Sequence, residues 1–171
     1  MTIAMRSIVG SGETLVGARP LTDLETSGLL DLSGTPWRRI WLSERDSTWC
    51  LVDAEDYAWL SETIWNVSWG SRTPWQKYGK RNVGRDRATV RMHREIMIEA
   101  EPRDERFMRS HYVDHINGQT LDNRRANLRW ATHKQNCRNR TPRDLIPSLD
   151  SIVLQLVAAL GPRPELAEVT F

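Results

Sequence analysis

The segment His111–Arg140 reads HYVDHINGQTLDNRRANLRWATHKQNCRNR and sets a carboxylate and an imidazole side by side, Asp114 and His115, ahead of an amide at Asn136. A carboxylate and an amide oxygen are hard ligands, which suit Mg²⁺ better than a metal that prefers sulfur or imidazole. A neutral imidazole next to such a site can take a proton from water, because its ordinary pKa of about 6.5 lies close to working pH.

That chemistry needs three elements to converge. Val113 and Ile116 bracket the Asp-His pair, and Asn117-Gly118 follows as a turn signal. Asp114 and His115 are therefore expected at the end of a short strand entering a loop. Leu128–Ala131 is the next strand, with Leu128 and Trp130 on one face. Thr132-His133-Lys134-Gln135 has the Thr-x-x-Gln form of a capping box, which predicts a helix starting at Thr132. That helix would carry Asn136, Asn139 and Arg140 on neighbouring turns. The order is strand, loop, strand, helix, with Asn136 on a helix that can fold back across the first strand.

The run VDHINGQTLDNRRANLRW, followed by a Gln-Asn pair and a basic helix, resembles the HNH nuclease motif of the ββα-metal fold. It is most similar to the phage and intron-encoded homing endonuclease branch. A weaker likeness extends upstream to LVDAEDYAWL, Trp65 and MHREIM. The resemblance implies that Asp114 and Asn136 are the metal ligands and that His115 is the general base. It implies that Asn127 hydrogen-bonds within the loop and keeps the base and its strand in register. Asn136 stands where the founding pattern has a His, a departure this branch shares, and it favours Mg²⁺ or Mn²⁺ over zinc. The implied activity is metal-dependent hydrolysis of double-stranded DNA, leaving a 5′-phosphate and a 3′-hydroxyl. Arg124, Arg125, Arg129, Arg138 and Arg140 could grip flanking phosphates through forked hydrogen bonds. One metal site per chain cuts one strand, so a monomer would nick, and a double-strand break would need a homodimer or two binding events. Monomer and homodimer both stay open.

Other residues have plainer readings. His133 is a competing candidate for the missing last His. His111 lies on the strand face of His115, where packing is its expected role, and His93 is expected to brace the core. Asp122 and Asn123 read as loop stabilisers through local side-chain bonds. The eight Trp read mainly as core. Trp75 and Tyr78 are the candidates for stacking or groove contact because Arg72, Lys77, Lys80 and Arg81 surround them.

The charge is uneven. Residues 72–143 hold 18 Lys+Arg against 8 Asp+Glu, whereas the whole chain carries only +2. A basic centre between acidic ends fits a polyanionic partner, and it equally fits a solvated Arg-rich surface. Cys50 and Cys137 form no CxxC pair, which argues against a disulfide framework or a structural zinc site. No basic start followed by a long apolar run opens the chain, and the apolar stretch near Ile152–Leu160 is too short to span a bilayer. No membrane partner is expected, and a cytoplasmic setting in a bacterial or phage-infected cell is.

Upstream, Arg38–Ser43 and Thr48–Val52 read as strands around a turn. Asp53 reads as the N-cap of a helix to about Glu62, with Tyr57, Leu60 and Ile64 facing inward. Ile64–Trp69, Trp75–Val83 and Arg87–Met92 read as further strands of one small Trp-rich antiparallel sheet. His93–Ala100 reads as a helix and Pro102–Ser110 as a charged loop. Leu145–Leu160 has an amphipathic pattern. The expected protein is α+β, with an extension over 1–35, a β module contributing duplex binding over 36–92, a nuclease core over 93–143 and a C-terminal amphipathic helix and tail over 144–171. Two further functions remain in view: a DNA-binding protein that keeps the HNH fold without activity, and a nuclease acting on RNA or on DNA without sequence preference.

Overall fold

The computed structural model describes residues 30–70 and 73–161. Most of the expected N-terminal extension, Arg72 and the tail from residue 162 lie outside the described residues. The described chain is a mixed assembly of small antiparallel sheets and short helices. Among the described residues no helix is long and apolar enough to cross a membrane.

Strands β1 (Trp37–Ser43) and β2 (Thr48–Asp53) form an antiparallel hairpin. β2 is buried along almost its whole length, which suits its apolar run Trp49-Cys50-Leu51-Val52. Helix α1 (Ala54–Leu60) follows directly. Asp53 takes the N-cap position, but its side chain caps nothing. Its carboxylate accepts instead from the backbone N–H of Arg125 at 2.7 Å. Leu60 is fully buried, whereas Tyr57 is exposed and Ile64 is 84% exposed, against the expectation for both. The inward positions of α1 belong to Leu60 and Asp56. Beyond the helix Trp65, not Ile64, is buried, and its indole N–H donates to the Leu60 carbonyl at 2.9 Å.

The β region is two separate sheets rather than one. Strands β3 (Asn66–Trp69), β4 (Lys77–Val83) and β5 (Ala88–Arg91) form a three-stranded antiparallel sheet in that order, with no ladder to β1–β2. Side chains make the connection. At Gly79 a Cβ would come within 3.2 Å of Met92 and 3.3 Å of the Cys50 thiol, so the missing side chain lets β4 press against both. Helix α2 (Met92–Ala100) buries Met92, Ile96 and Met97. These pack in one core with Ile40, Cys50, Val52, Leu60, Trp65 and Leu128.

The expected loop over 102–110 contains helix α3 (Glu105–Ser110). Asp104 caps it by accepting from the Phe107 N–H at 2.7 Å, a local bond strong enough to start a turn in a charged stretch. Strand β6 (His111–His115) then pairs antiparallel with β7 (Leu128–Thr132), which leads into α4 (His133–Arg138). The capping box forms: the Thr132 hydroxyl accepts from the Gln135 N–H while the Gln135 side chain accepts from the Thr132 N–H. The helix stops at Arg138, so Asn139 is its C-cap and Arg140 lies beyond it. Helix α5 (Leu149–Ala159) buries Ile152 and Val153 and leaves Leu154 exposed, while Leu145 sits outside it in a 3₁₀ turn.

An ion pair ties the segment before β7 to helix α1. The Arg125 guanidinium donates to both carboxylate oxygens of Asp56, at 2.9 and 2.7 Å, and pairs also with Glu55. Asp56 is completely buried and accepts a third bond from the Trp59 indole at 3.1 Å. The acidic group Asp53, Glu55 and Asp56 is thus a receptor for Arg125. Arg125→Ala should lower stability by about 3 kcal/mol, since it strands a buried carboxylate whose partner is only partly screened by solvent. Urea denaturation of the variant measures this, and a loss below about 1 kcal/mol would contradict the role given to the pair.

Candidate active site

A cleft of about 620 Å³ opens where β6, α4 and the approach to β4 meet. Asp114 and His115 line it from β6, Asn136 from α4, and Asn139 and Arg140 from the segment after it. Tyr78 and Trp75 line it from the side of β4. Asp114, His115 and Asn136 are therefore brought to one cavity.

The β6–β7 loop sets the imidazole. Its backbone runs alongside β2: the Leu51 N–H donates to the Leu121 carbonyl at 2.9 Å, and the Asn123 N–H donates to the Leu51 carbonyl at 2.8 Å. Within the loop Asp122 is fully buried and accepts from the Arg124 guanidinium through both oxygens, at 2.8 and 2.7 Å, and from the Asn117 amide at 2.8 Å. Asn127 closes the loop from its other end. Its side-chain oxygen accepts from the Asn117 N–H at 3.0 Å, its amide donates to the Asp122 carbonyl at 2.8 Å, and its own carbonyl accepts from the Ile116 N–H. Gly118 turns the chain at φ +78°, a conformation Asn-Gly turns favour.

Asn123 determines which nitrogen of His115 carries the proton. Its amide NH₂ lies 3.2 Å from the Met92 sulfur, a group that can only accept, so its oxygen faces the other way. That oxygen is 2.9 Å from His115 Nε2. Nε2 therefore carries the hydrogen, and Nδ1 keeps the lone pair. Burial pushes the His115 pKa below its ordinary value, opposed by the Asn123 bond and by the charges of Asp122 and Asp114. The free-base form thus persists into mild acid. Tyr78 and His93 pack against the ring, with centroids 6.3 and 5.0 Å away. His93 has its Nδ1 enclosed without a partner, and desolvation, with His115 next, holds its pKa well below the ordinary value.

Asp114 faces Arg129 directly across the β6–β7 ladder. Its Oδ2 accepts from Arg129 Nε at 3.1 Å and Nη2 at 2.8 Å. Its Oδ1 accepts from the Asn139 amide at 3.2 Å, and the same amide donates to the His115 carbonyl at 2.8 Å. Asn139 lies beyond the helix expected to carry it; an α4 ending at Arg138 is what lets it reach β6, and the continued basic run gives no sign of that stop. A buried carboxylate that shares a cleft with the Asn136 side chain offers oxygen ligands of the kind a hard divalent cation takes, while Asn139 turns its NH₂ toward that carboxylate.

The expected phosphate-gripping arginines and the cations around Trp75 and Tyr78 divide into two groups. Arg124 is held by Asp122, Arg125 by Asp56, Arg129 by Asp114, Arg81 by a two-pronged pair with Glu95, and Lys77 by the Thr48 hydroxyl. Arg124, Arg125 and Arg81 thus brace the fold in this structure, because a buried or half-buried carboxylate lies within reach of each fork. Arg138 and Arg140 are exposed, and Arg140 lines the cleft. Lys80 is half-buried in the middle of β4. Arg143, unremarked in the sequence, stacks its guanidinium over Trp75 at the cleft rim, 5.7 Å from the ring centroid. His111 stacks flat on Phe107 at 3.8 Å, a packing role. His133 is exposed beside Tyr112 and Cys137 and lines the cleft, but it has no bond to Asp114 or His115.

Residues 109–138 match the family model described as HNH endonuclease, a stretch that runs from just before β6 to the last residue of α4. The match points to a nuclease family in general. No curated protein and no solved structure matches the chain.

The two depressed histidines have a thermodynamic consequence. Each binds its proton more readily unfolded than folded, so the stability they permit is full above pH 6.5 and declines as the pH falls below it toward their folded values. The melting temperature should drop between pH 7 and pH 5, and the drop should be smaller in His93→Phe, which removes one of the two protons. Equal pH slopes for the two proteins would contradict this assignment.

Proposed function

We propose that this chain is a divalent-metal-dependent endonuclease that hydrolyses phosphodiester bonds in double-stranded DNA, as a phage-associated or homing-type nicking enzyme. The observation that carries the reading is the meeting of Asp114, Asn136 and His115 in one cleft, with the imidazole fixed as the Nε2–H tautomer. The chemistry fits. Asp114 and Asn136 would hold Mg²⁺ or Mn²⁺ as oxygen ligands. When bound, that ion supplies charge neutralisation at the phosphate and stabilises the leaving oxygen.

The chain's own residues supply the rest. His115 Nδ1 accepts a proton from the attacking water, while Asn123 and Asn127 keep the ring and its strand in place. The surplus positive charge of residues 72–143 attracts a polyanion. Arg138, Arg140 and Arg143 are exposed cations at and beyond the end of α4, and Lys80 adds a half-buried cation on β4. The ββα-metal reading of β6, β7 and α4 and the duplex-binding role of residues 36–92 belong to the same proposal.

Supercoiled plasmid incubated with the protein and Mg²⁺ should convert to open circles, and a chelator should abolish the conversion. Binding without any cleavage would favour the inactive DNA-binding reading, and preferential digestion of RNA would favour the third. His115→Ala should lower the cleavage rate by about 10²–10⁴ and leave affinity for the plasmid close to wild type. Cleavage at the wild-type rate would remove the imidazole from the reaction. The acid limb of the wild-type rate profile should lie below pH 6.5, as burial of the ring requires. Arg138→Ala should weaken DNA binding on most sequences and flatten the salt slope by about one; an unchanged slope would place Arg138 off the phosphates.

A further inference from the structure

We infer that Arg129 is a latch on Asp114 that a DNA phosphate draws away, so that bound DNA strengthens loading of the divalent ion. The inference rests on the nuclease reading above and deepens it. Three observations carry it.

The first is register. Asp114 and Arg129 are cross-strand partners in the β6–β7 ladder, so the pair is built into the pairing of the two strands. Both nitrogens of the fork, at 3.1 and 2.8 Å, converge on Oδ2, and Asn139 takes Oδ1. The fork takes up both lone pairs of Oδ2, the oxygen it would have to surrender to a cation, and Asn139 takes one of the two on Oδ1.

The second is exposure. The Asp114 side chain is 8% exposed and that of Arg129 44%. The carboxylate is fixed, and the guanidinium is the partner that can swing toward solvent. A phosphate offers two oxygens to the fork, which on Asp114 finds only one.

The third is local charge. Among the described residues lining the cleft Asp114 is the one carboxylate, whereas Arg140 and Arg143 line it as cations and Arg129 adds a third positive charge. A divalent cation approaching the free protein meets net repulsion there. A bound DNA strand reverses that sign, gives Arg129 a replacement anion and releases Asp114 Oδ2. The two ligands then bind cooperatively, and linkage requires each to tighten the other by the same factor.

The test is Mn²⁺ binding, read from the electron paramagnetic resonance signal of the free ion, with and without a short duplex. His115→Ala is used as the background so that the duplex stays intact, and Asp114→Asn protein with the same duplex gives the Mn²⁺ bound by DNA alone. The parent protein should bind Mn²⁺ about tenfold more tightly with the duplex than without. Arg129→Gln should gain about that factor in the absence of DNA, so that the duplex adds little further. Arg129→Lys, which keeps the charge and loses the fork, should fall between the two. If Mn²⁺ binds the free parent and the free Arg129→Gln protein equally well, the latch is overturned and the metal site stands. If no protein takes up Mn²⁺ above the Asp114→Asn background in any arm, the latch and the proposed metal-dependent nuclease fall together.

Discussion

The carboxylate of Asp122 is the point on which the site depends. It is fully buried, and a buried anion is tolerated only when its lone pairs are met. Arg124 and Asn117 meet them. Those bonds fold the segment between β6 and β7 into one shape, and Asn127 closes that shape from its far end. Backbone bonds from Leu51 then fix the loop to β2. The position of the imidazole follows from this anchoring more than from β6 itself, since His115 is the last residue of its strand.

From that loop a directional chain of bonds runs into the cleft. A thioether cannot donate, so Met92 orients the Asn123 amide, and the amide oxygen selects the imidazole tautomer. Gly79 matters to the same chain at one remove, because its missing side chain leaves room for Met92 between β4 and β2. A residue in the upstream sheet thereby influences a proton position in the site.

Elements carried by local pattern were legible in the sequence. The β1–β2 hairpin, the strands on either side of the His115 loop and the capping box at Thr132 all follow from alternation, turn residues and cap chemistry within a few positions. That Asp114, His115 and Asn136 line one cleft is in keeping with the order strand, loop, strand and helix, which leaves few ways to fold. What was not legible depends on partners distant in the chain. Arg125 reads as a free cation until Asp56, far upstream, is placed beneath it, and Asp56 reads as a surface acid until the same moment. Ile64 looks like core by composition, but it is its neighbour Trp65 that is buried and bonded to the end of α1. The reach of Asn139 to Asp114 hinges on where α4 ends, and helix ends are set by the last turn's environment as much as by sequence.

The parallel bridge between Leu51 and Asp122 bears on how the molecule comes apart. Surface loops usually open on their own, well before the body of a protein does. This one shares backbone bonds with the most enclosed strand and an ion pair with the first helix. Its amides should exchange with heavy water only through the opening that releases β2, and the cleft should keep its shape until the whole unit melts. Heat would then extinguish the site in a single cooperative step, with no warm intermediate in which a loosened loop survives on an intact scaffold.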